Sequence, residues 1–343
     1  MNQGRTLLQE GRVGCLILAG GQGSRLGFKD PKGMMPVSVI RKKSLFQILC
    51  EKVLYASLRY HKAFPLAIMT SSETHARTEL FFKEHRYFGL SSVSLFQQGV
   101  LPVYDEYGNK CGDAPCGNGH ALHDFYKQGL WHAWSQQGVT HLIVIPVDNA
   151  LAVPLDVELL QYHERCQVEV SLRAIKRKAK EHIGMVIKKG TVCEIIEYSE
   201  LTQELALNAS WGNTGIYCFS FSFIEHLMQE RVELPIHHAD KMFQGRKVRK
   251  QEYFLFDVLP YARSVGVLLS ARQSCFSPLK QAVGENSLTT VQRDLLRYDR
   301  KLYRKIWRQK PSNKPFELSL ACLDPDEELM QTMQSQYKEF VFM

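Results

Sequence analysis

Near the start of the chain, a short apolar run is followed by glycines and then by two basic residues. The stretch is LILAGGQGSRLGFKDPKGMMP, at residues 16–36. Residues 13–19 are continuously apolar, as a β-strand buried on both faces requires. Three glycines then allow a tight turn that brings bare backbone N–H groups against an anion: Gly20, Gly21 and Gly23. With Arg25 and Lys32 behind them, they predict a strand followed by a phosphate-binding loop, although a tight strand exit uses glycines in the same way.

The two most common nucleotide-binding fingerprints do not fit this loop. A dinucleotide-binding loop that starts at Gly21 would need glycine where Leu26 stands, and a P-loop that starts at Gly20 would need glycine at Arg25. A nucleotide bound here must therefore be held in another arrangement.

Strand-like and helix-like segments alternate through the first half of the chain. Ser44 and Gln47 form a capping-box pair ahead of apolar residues at helical spacing, which predicts a helix over 44–60. The remaining predicted strands are 65–70, 93–97 and 140–149, and the remaining predicted helices are 73–85 and 121–137. This alternation predicts an α/β fold with a mostly parallel central sheet flanked by helices, whose ligand crevice lies beyond the carboxyl ends of the strands. Residues 99–119 are predicted to form a long loop, of the kind that is functional or disordered.

The second half of the chain is less regular. Residues 184–188 and 192–198 predict a hairpin, and residues 215–219 predict a further strand. Residues 290–310 are charged and helical in pattern, with an imperfect apolar stripe. We therefore predict a main domain over 1–283 and a small, partly helical C-terminal extension over 284–343.

Composition narrows the classes of partner. The formal net charge of +8 favours anionic ligands, but no homeodomain, zinc-finger or RRM signature predicts sequence-specific nucleic-acid binding. The basic region 297–310 keeps a nucleic-acid binder as an alternative. Nine scattered cysteines without a CxxC pair are typical of a cytoplasmic protein. The apolar run at 13–19 is too short to span a bilayer, so no membrane anchor is expected.

Asp148 is the candidate metal ligand, because it ends the predicted strand 140–149 beside Asn149. A strand-end carboxylate can hold a divalent cation next to a triphosphate, and a helix N-cap or a turn acid explains the same residue equally well. The glycine loop and this acid together favour phosphoryl or nucleotidyl transfer, which depends on charge neutralisation more than on covalent chemistry.

The order of the motifs resembles the UDP-sugar pyrophosphorylase family, most closely its UDP-N-acetylglucosamine (UDP-N-acetylhexosamine) branch. The matching segments run in family order over about 16–280: LAGGQGSRLG (18–27), PKGM (31–34), MTSSET (69–74), FFKEHRYFGL (81–90), FQQGVLP (96–102), APCGNGH (114–120), VDNAL (147–151), EYSEL (197–201), FLFD (254–257) and FSPLK (276–280). The resemblance implies a Rossmann-like, GT-A-like nucleotidyltransferase domain, which agrees with the fold predicted from the alternation of elements.

The resemblance also implies roles for single residues. Four loop residues would cradle the phosphates of UTP: Leu18, Ala19, Gly20 and Gly21. Lys32, together with Arg25 and Lys250, would supply catalytic positive charge, and Asp148 would bind UTP through Mg²⁺ (or Mn²⁺). The uracil would be held by Gln98 and Gly117, and the sugar site would be lined by Asn118, Glu197, Tyr198 and Asn213, with Lys280 on the sugar phosphate. Without the resemblance, Gln98 would be a solvated loop amide and Lys250 one member of the basic run at 246–250.

The implied reaction joins UTP and a sugar 1-phosphate into a UDP-sugar and pyrophosphate, most simply with N-acetylglucosamine 1-phosphate. Cys116 and His120 depart from the branch, which usually has aspartate and glycine there, so glucose 1-phosphate or galactose 1-phosphate is an alternative substrate. A nucleotide-binding regulator without turnover is the alternative from another class. The retained Arg25, Lys32, Asp148 and Lys250 argue against it.

Overall fold

The computed structural model describes residues 2–178, 181–189, 192–197, 200, 210–243, 246–323, 325 and 327–343. Within these residues a nine-stranded sheet forms the centre of the molecule. Its strands are β1 (Val13–Leu18), β2 (Leu66–Thr70), β3 (Val93–Gln97), β6 (His141–Pro146), β7 (Val170–Lys176), β8 (Met185–Lys189), β9 (Val192–Ile196), β10 (Trp211–Ser220) and β13 (Val265–Ser270).

The strand order of this sheet is β13-β7-β10-β6-β1-β2-β3, with β8 and β9 attached beside β10. The pairs β13/β7, β6/β1, β1/β2 and β2/β3 are parallel, whereas β10 runs antiparallel to both β6 and β7. The prediction of a mostly parallel central sheet is confirmed. The carboxyl ends of β1, β2, β3 and β6 therefore meet at one edge.

Helices cover both faces of the sheet. They are α1 (Gln3–Gln9), α2 (Leu45–Tyr60), α3 (His75–Glu84), α4 (Ala121–Lys127), α5 (Leu130–Gln136), α6 (Val157–Cys166), α7 (Phe221–Gln229) and α8 (Arg272–Cys275). In the described part of the chain none of the helices combines the length and apolarity that a bilayer crossing needs. Ser44 caps α2 as predicted, because its hydroxyl accepts the Gln47 N–H at 3.1 Å. The reciprocal half of the capping box is replaced, since the Gln47 amide donates to Glu51 instead.

Strand β1 is buried on both faces, as its continuous apolar run predicts. Cys15 and Ile17 face one core, which α2 covers with Leu49 and Val53, while Leu16 faces a second core around Phe125. Side chains alternate across a strand, so a run without polar residues is stable only when both faces are covered. The glycine loop therefore follows a strand that is packed against a core on each face.

The prediction of a long loop over 99–119 is wrong, because the structure has a β-hairpin there. Strands β4 (Val100–Asp105) and β5 (Lys110–Pro115) pair with each other, and β4 pairs with β12 (Arg246–Glu252) of a second hairpin begun by β11 (His237–Phe243). Together they form a four-stranded antiparallel sheet. Pro102 and the glycines favoured a loop, but β4 pairs locally with β5 and also with the distant strand β12.

Three element boundaries also differ from the prediction. The helix expected over 121–137 is two helices, because Gly129 lies between them with φ of 75°. The strand expected over 140–149 ends at Pro146, so Asp148 stands in the following turn. Strand β10 extends far beyond 215–219 and contains an irregularity between Asn213 and Tyr217, at which Gly215 has φ of 75°.

The C-terminal part is built around the long helix α9 (Leu288–Trp307). The first half of α9 packs on the main core through Val291, which is fully buried. Its second half forms a separate small core with β14 (Glu317–Leu318), α10 (Glu327–Ser335), α11 (Tyr337–Phe340) and β15 (Val341–Phe342). The boundary at 283/284 stays a prediction, since α9 contributes to both cores.

Candidate functional site

A cleft of about 600 Å³ lies at the carboxyl ends of β1, β2, β3 and β6, where the fold predicts the ligand crevice. This volume is within the range of small-molecule sites. The glycine loop and the turn after β6 form one wall, and the four-stranded sheet covers it. Ten of the predicted site residues line it: Leu18, Gly20, Gly21, Arg25, Lys32, Gln98, Gly117, Asn118, Asp148 and Lys250.

The glycine loop folds back onto the basic segment that follows it. The backbone N–H of Lys32 donates to the carbonyl of Gly21 at 3.2 Å, and a bridge joins Gln22 to Pro31. This turn aims the Lys32 side chain into the cleft, where its Nζ lies 3.3 Å from Oδ2 of Asp148. The two side chains are 18% and 17% exposed. Residues 116 positions apart thus form one ion pair at the predicted phosphate site.

Gly20 allows the close approach of Gln98. A Cβ at Gly20 would lie 2.4 Å from Nε2 of Gln98, whose side chain is almost buried against the loop. Ala19, by contrast, does not reach the cleft. Its N–H donates to the Met69 carbonyl at 2.7 Å within the sheet, and its side chain is buried. Ala19 is not among the residues that line the cleft, and its contact with phosphate stays a prediction.

Strand β12 carries the opposite wall of the cleft. Val248, Lys250 and Glu252 line it at every second position, as side chains on one face of a strand do. Lys250 Nζ lies 2.9 Å from Oε1 of Glu252, and both side chains are about one-fifth exposed. Arg249 and Gln251 face a different surface depression. The basic run is therefore a strand that delivers one of its lysines to the site.

Gly117 and Asn118 are held by Tyr253 and Leu255, which follow β12. Gly117 has φ of 89°, and a Cβ there would lie 2.5 Å from the carbonyl oxygen of Tyr253. Asn118 lines the cleft while its Oδ1 accepts the Leu255 N–H at 3.0 Å. The structure thus requires glycine at 117, because the backbone of Tyr253 approaches it closely.

The predicted sugar-site residues divide into two groups. Asn213 and Glu197 meet around Gly184, since Asn213 N–H donates to the Gly184 carbonyl and a Cβ at Gly184 would lie 3.3 Å from Oε1 of Glu197. Neither is among the residues that line the cleft. The Asn213 amide supports the irregularity in β10, because it donates to Tyr217 Oη at 2.7 Å and accepts the Gly215 N–H. Tyr198 lies outside the described residues.

Lys280 stands beside the Asp148 turn rather than among the lining residues. The preceding residue, Leu279, donates its N–H to the Asp148 carbonyl at 2.9 Å. Lys280 itself is exposed. The backbone therefore brings the predicted sugar-phosphate lysine next to the predicted metal ligand.

The two residues that depart from the family pattern do not line the cleft. Cys116 is buried, which raises the pKa of its thiol to about 11. The His120 ring stacks on Tyr253 with centroids 4.1 Å apart and faces a neighbouring pocket of about 800 Å³. Burial lowers the pKa of His120. Both residues adjoin Gly117 and Asn118 in the chain without themselves reaching the cleft.

Carboxylates in the cleft bear on metal binding. Glu73, Asp148 and Glu252 line it, and Glu73 accepts a hydrogen bond from Gln22 at 2.9 Å. Across the described ranges no three His, Cys, Asp or Glu side chains are grouped so that they could hold a metal ion by themselves. Asp148 as a single protein ligand fits Mg²⁺, which commonly takes one or two carboxylates and completes its shell with water and phosphate.

Sequence reasoning assigned no role to several polar residues that the structure brings to the cleft, among them Gln22, Glu73 and Glu252. A signal existed for Glu252, because a strand over the basic run would have put it on the same face as Lys250. No comparable signal existed for Glu73, whose position depends on how α3 docks beside the loop.

A family model described as UTP–glucose-1-phosphate uridylyltransferase matches residues 2–316. UDP-N-acetylglucosamine diphosphorylase 2 of Arabidopsis thaliana is 33% identical over 321 residues, which cover 82% of this chain and 64% of that protein. UDP-N-acetylglucosamine pyrophosphorylase of Saccharomyces cerevisiae is 31% identical over 322 residues, which cover 83% of this chain and 68% of that protein. The chain thus spans about two thirds of the length of these relatives.

Solved structures agree with the sequence relatives. A crystal structure from Entamoeba histolytica, whose name assigns it to the UDP-N-acetylglucosamine pyrophosphorylases, has a TM-score of 0.80 and 31% sequence identity. The comparison covers 88% of this chain and 85% of that one. The nucleotidyltransferase-like fold expected from the resemblance is confirmed.

Proposed function

The chain belongs to the UTP–glucose-1-phosphate uridylyltransferase family, and from that premise we propose that it transfers the uridylyl group of UTP to a sugar 1-phosphate. The products are a UDP-sugar and pyrophosphate. The proposed sugar substrate is N-acetylglucosamine 1-phosphate, because the relatives named above are UDP-N-acetylglucosamine enzymes. The usage of cysteine supports a cytoplasmic location for this activity.

One observation carries the proposal. The ion pair between Lys32 and Asp148 stands in a cleft that also contains the glycine loop, Gln98 and Lys250. These residues come from distant parts of the chain, and each suits a different part of a nucleoside triphosphate. A protein that only bound the base would not need cations on both walls.

UTP is proposed to bind with its base between Gln98 and Gly117 and its phosphates over Gly20 and Gly21. An amide can donate and accept, as the edge of a pyrimidine requires. Arg25 and Lys32 lie on the loop side, where they would meet the departing pyrophosphate. Lys250 lies on the opposite wall and would contact the phosphates from there.

The balance of charge supports a divalent cation. Among the described lining residues, the cations Arg25, Lys32 and Lys250 are matched by the carboxylates Glu73, Asp148 and Glu252. A triphosphate therefore needs additional positive charge. We propose that Asp148 holds Mg²⁺ (or Mn²⁺), which when bound would neutralise phosphate oxygens and draw electron density from the reacting phosphorus.

The proposed reaction is an in-line displacement. A phosphate oxygen of the sugar 1-phosphate attacks the α-phosphorus of UTP and forms a new P–O bond. The bond from that phosphorus to the oxygen bridging the α- and β-phosphates breaks, and pyrophosphate leaves with the electron pair. No covalent enzyme intermediate is needed, so the protein contributes by positioning two anions and offsetting their repulsion.

The cleft-facing Asn118 supports the acetylated hexosamine as substrate, and the positions of Cys116 and His120 do not oppose this. Because neither side chain lines the cleft, their departure from the family pattern leaves the cleft-facing Asn118 unchanged. Glucose 1-phosphate and galactose 1-phosphate remain the alternatives to be tested.

The deciding experiment incubates the purified chain with UTP, Mg²⁺ and each of the three sugar 1-phosphates, and follows the release of pyrophosphate. Turnover is expected with N-acetylglucosamine 1-phosphate in preference to the other two. Turnover with another sugar only would overturn the substrate assignment. Binding of UTP without pyrophosphate release from any sugar would overturn the enzymatic function in favour of a nucleotide-binding regulator.

A further inference from the structure

The turn that carries Asp148 is joined to residues 275–279 by a buried asparagine. Asn149 is fully buried, and its Nδ2 donates to the carbonyl of Cys275 at 2.7 Å. Its Oδ1 accepts the Ser277 N–H at 3.0 Å and the Leu151 N–H at 3.3 Å. Since a carbonyl must face the amide nitrogen and an N–H must face the amide oxygen, these contacts allow one orientation of the side chain.

The backbones of the two segments are bonded as well. Asn149 and Pro278 form an isolated antiparallel bridge, and the Leu279 N–H donates to the Asp148 carbonyl. Lys280 is the next residue. Hydrogen bonds between 148–149 and 275–279 therefore hold the backbone at Lys280 next to Asp148 from one side.

The C-terminal helix α9 holds the same segment from the other side. Ser277 is buried, and its hydroxyl donates to Oδ2 of Asp294 on α9 at 3.0 Å. The N–H of Lys280 donates to the carbonyl of Asn286, just before α9, at 2.7 Å. Residues 275–279 are thus hydrogen-bonded to the turn that carries Asp148 on one side and to helix α9 on the other.

The two carboxylate oxygens of Asp294 have separate partners. Oδ2 faces Ser277, whereas Oδ1 lies 3.2 Å from Arg293 and 3.6 Å from Arg297. Both arginine side chains are more than half exposed, so these ion pairs contribute little. The half-buried hydrogen bond to Ser277 is the contact by which α9 can affect the site.

We propose that Asp294, through Ser277, is a positioning residue for Lys280, so that helix α9 completes the part of the site that takes the phosphate of the sugar substrate. The inference rests on the proposed function, together with the family resemblance that places Lys280 on the phosphate of the sugar 1-phosphate. It gives the C-terminal segment a role in the reaction: α9 sets how far Lys280 stands from Asp148. UTP binding, which uses the glycine loop and Gln98, does not depend on this contact.

Steady-state kinetics of the full chain with UTP, Mg²⁺ and N-acetylglucosamine 1-phosphate test the proposal. Ser277→Ala and Asp294→Ala should each raise the KM for the sugar 1-phosphate about tenfold, since misplacing a charged donor weakens its contact. The KM for UTP should stay within about twofold. The double variant should be no worse than Asp294→Ala alone, because both changes remove one hydrogen bond. Asp294→Asn, which keeps an acceptor oxygen, should restore most of the affinity.

Two controls separate positioning from loss of stability. Arg297→Ala removes one of the two exposed ion pairs of Asp294 and should match the wild type. Leu302→Ala weakens the small C-terminal core on the same helix and should lower the melting temperature without raising the KM for the sugar 1-phosphate. If Leu302→Ala raises this KM as Asp294→Ala does, the effect comes from helix stability and the inference is overturned.

Double-mutant cycles with Lys280→Ala test most directly whether Asp294 and Ser277 act through Lys280. In a Lys280→Ala background, Asp294→Ala and Ser277→Ala should cause no further rise in the KM for the sugar 1-phosphate. An undiminished rise would overturn the inference. If Asp294→Ala does not fold, Ser277→Ala carries the same cycle. A wild type that turns over while both single variants stay within about twofold refutes the inference alone, whereas a wild type that releases no pyrophosphate with any sugar 1-phosphate refutes the proposed function and the inference with it.

Discussion

Gly20→Ala should weaken the use of UTP while leaving the folded state almost as stable as the wild type. The new Cβ would lie 2.4 Å from Nε2 of Gln98, whereas ordinary contacts begin at 3.4 Å, so the amide must move by about 1 Å. The backbone of Gln98 cannot follow, because its N–H donates to the Thr70 carbonyl at 2.8 Å. The side chain therefore swings away from the position proposed for the uracil edge.

The magnitude follows from the contacts that are lost. Two hydrogen bonds between an amide and a base edge contribute about 1–3 kcal/mol together, so kcat/KM for UTP should fall about 5- to 150-fold. The free energy of unfolding should change by less than about 1 kcal/mol, because the far end of a flexible side chain moves and the core does not. Pyrophosphate release over a range of UTP concentrations gives the first quantity, and urea denaturation gives the second.

Two comparisons make this prediction refutable. Gly99→Ala is a matched control outside the cleft, since its Cβ would lie 3.5 Å from Cys116 Sγ, which is ordinary contact. Gln98→Ala should lower kcat/KM about as much as Gly20→Ala, and the double variant should be no worse than Gln98→Ala. A Gly20→Ala variant with unchanged kcat/KM for UTP, or additive effects in the double variant, would show that Gln98 does not bind the base.

Further outcomes are expected at other positions. Lys32→Ala should lower kcat about 100- to 1000-fold, as loss of one oriented cationic donor does, and full turnover would refute its assignment. Gly33→Ala should destabilise the protein by about 1–3 kcal/mol in urea denaturation, because its Cβ would lie 2.3 Å from the buried Phe46 ring; an unchanged midpoint would contradict this. Burial lowers the pKa of His163 from 6.5 to about 3. Between these two pH values the imidazole is protonated in the unfolded chain but neutral in the folded protein. The free energy of unfolding therefore falls as the pH drops below about 6.5. The loss from His163 between about pH 7 and pH 5 should be about 2 kcal/mol, and urea denaturation of His163→Asn at both pH values should show a smaller dependence.

Local patterns were sufficient for much of the fold. The continuous apolar run of β1, the Ser44 cap and the apolar spacing of α2 each depend on residues close in sequence, and the structure has these elements where they were predicted. The parallel arrangement follows from the alternation of strands and helices. In the same way, the glycine loop and Asp148 were recognisable because they lie at strand ends, and strand ends of a parallel sheet meet.

Long-range pairing with β12 contributes to the hairpin over 100–115, which was mispredicted as a loop. Residues 100–115 contain Pro102 and a polar turn, and they form a hairpin whose first strand, β4, pairs with β12. The propensity of a strand depends on its neighbours across the sheet, which no local window contains. The same pairing puts Lys250 and Glu252 over the cleft, so the wall that β12 forms could not be predicted from either segment alone.

The sequence by itself determined the strand, the glycine loop, the two basic residues behind it and the acid at the end of a neighbouring strand, because each is specified by adjacent residues. The tertiary structure decided which distant groups meet: Lys32 with Asp148, and the Lys280 segment with Asn149 and helix α9. These contacts join residues up to 128 positions apart. Their geometry depends on how whole elements pack together, and that information is spread over the entire chain.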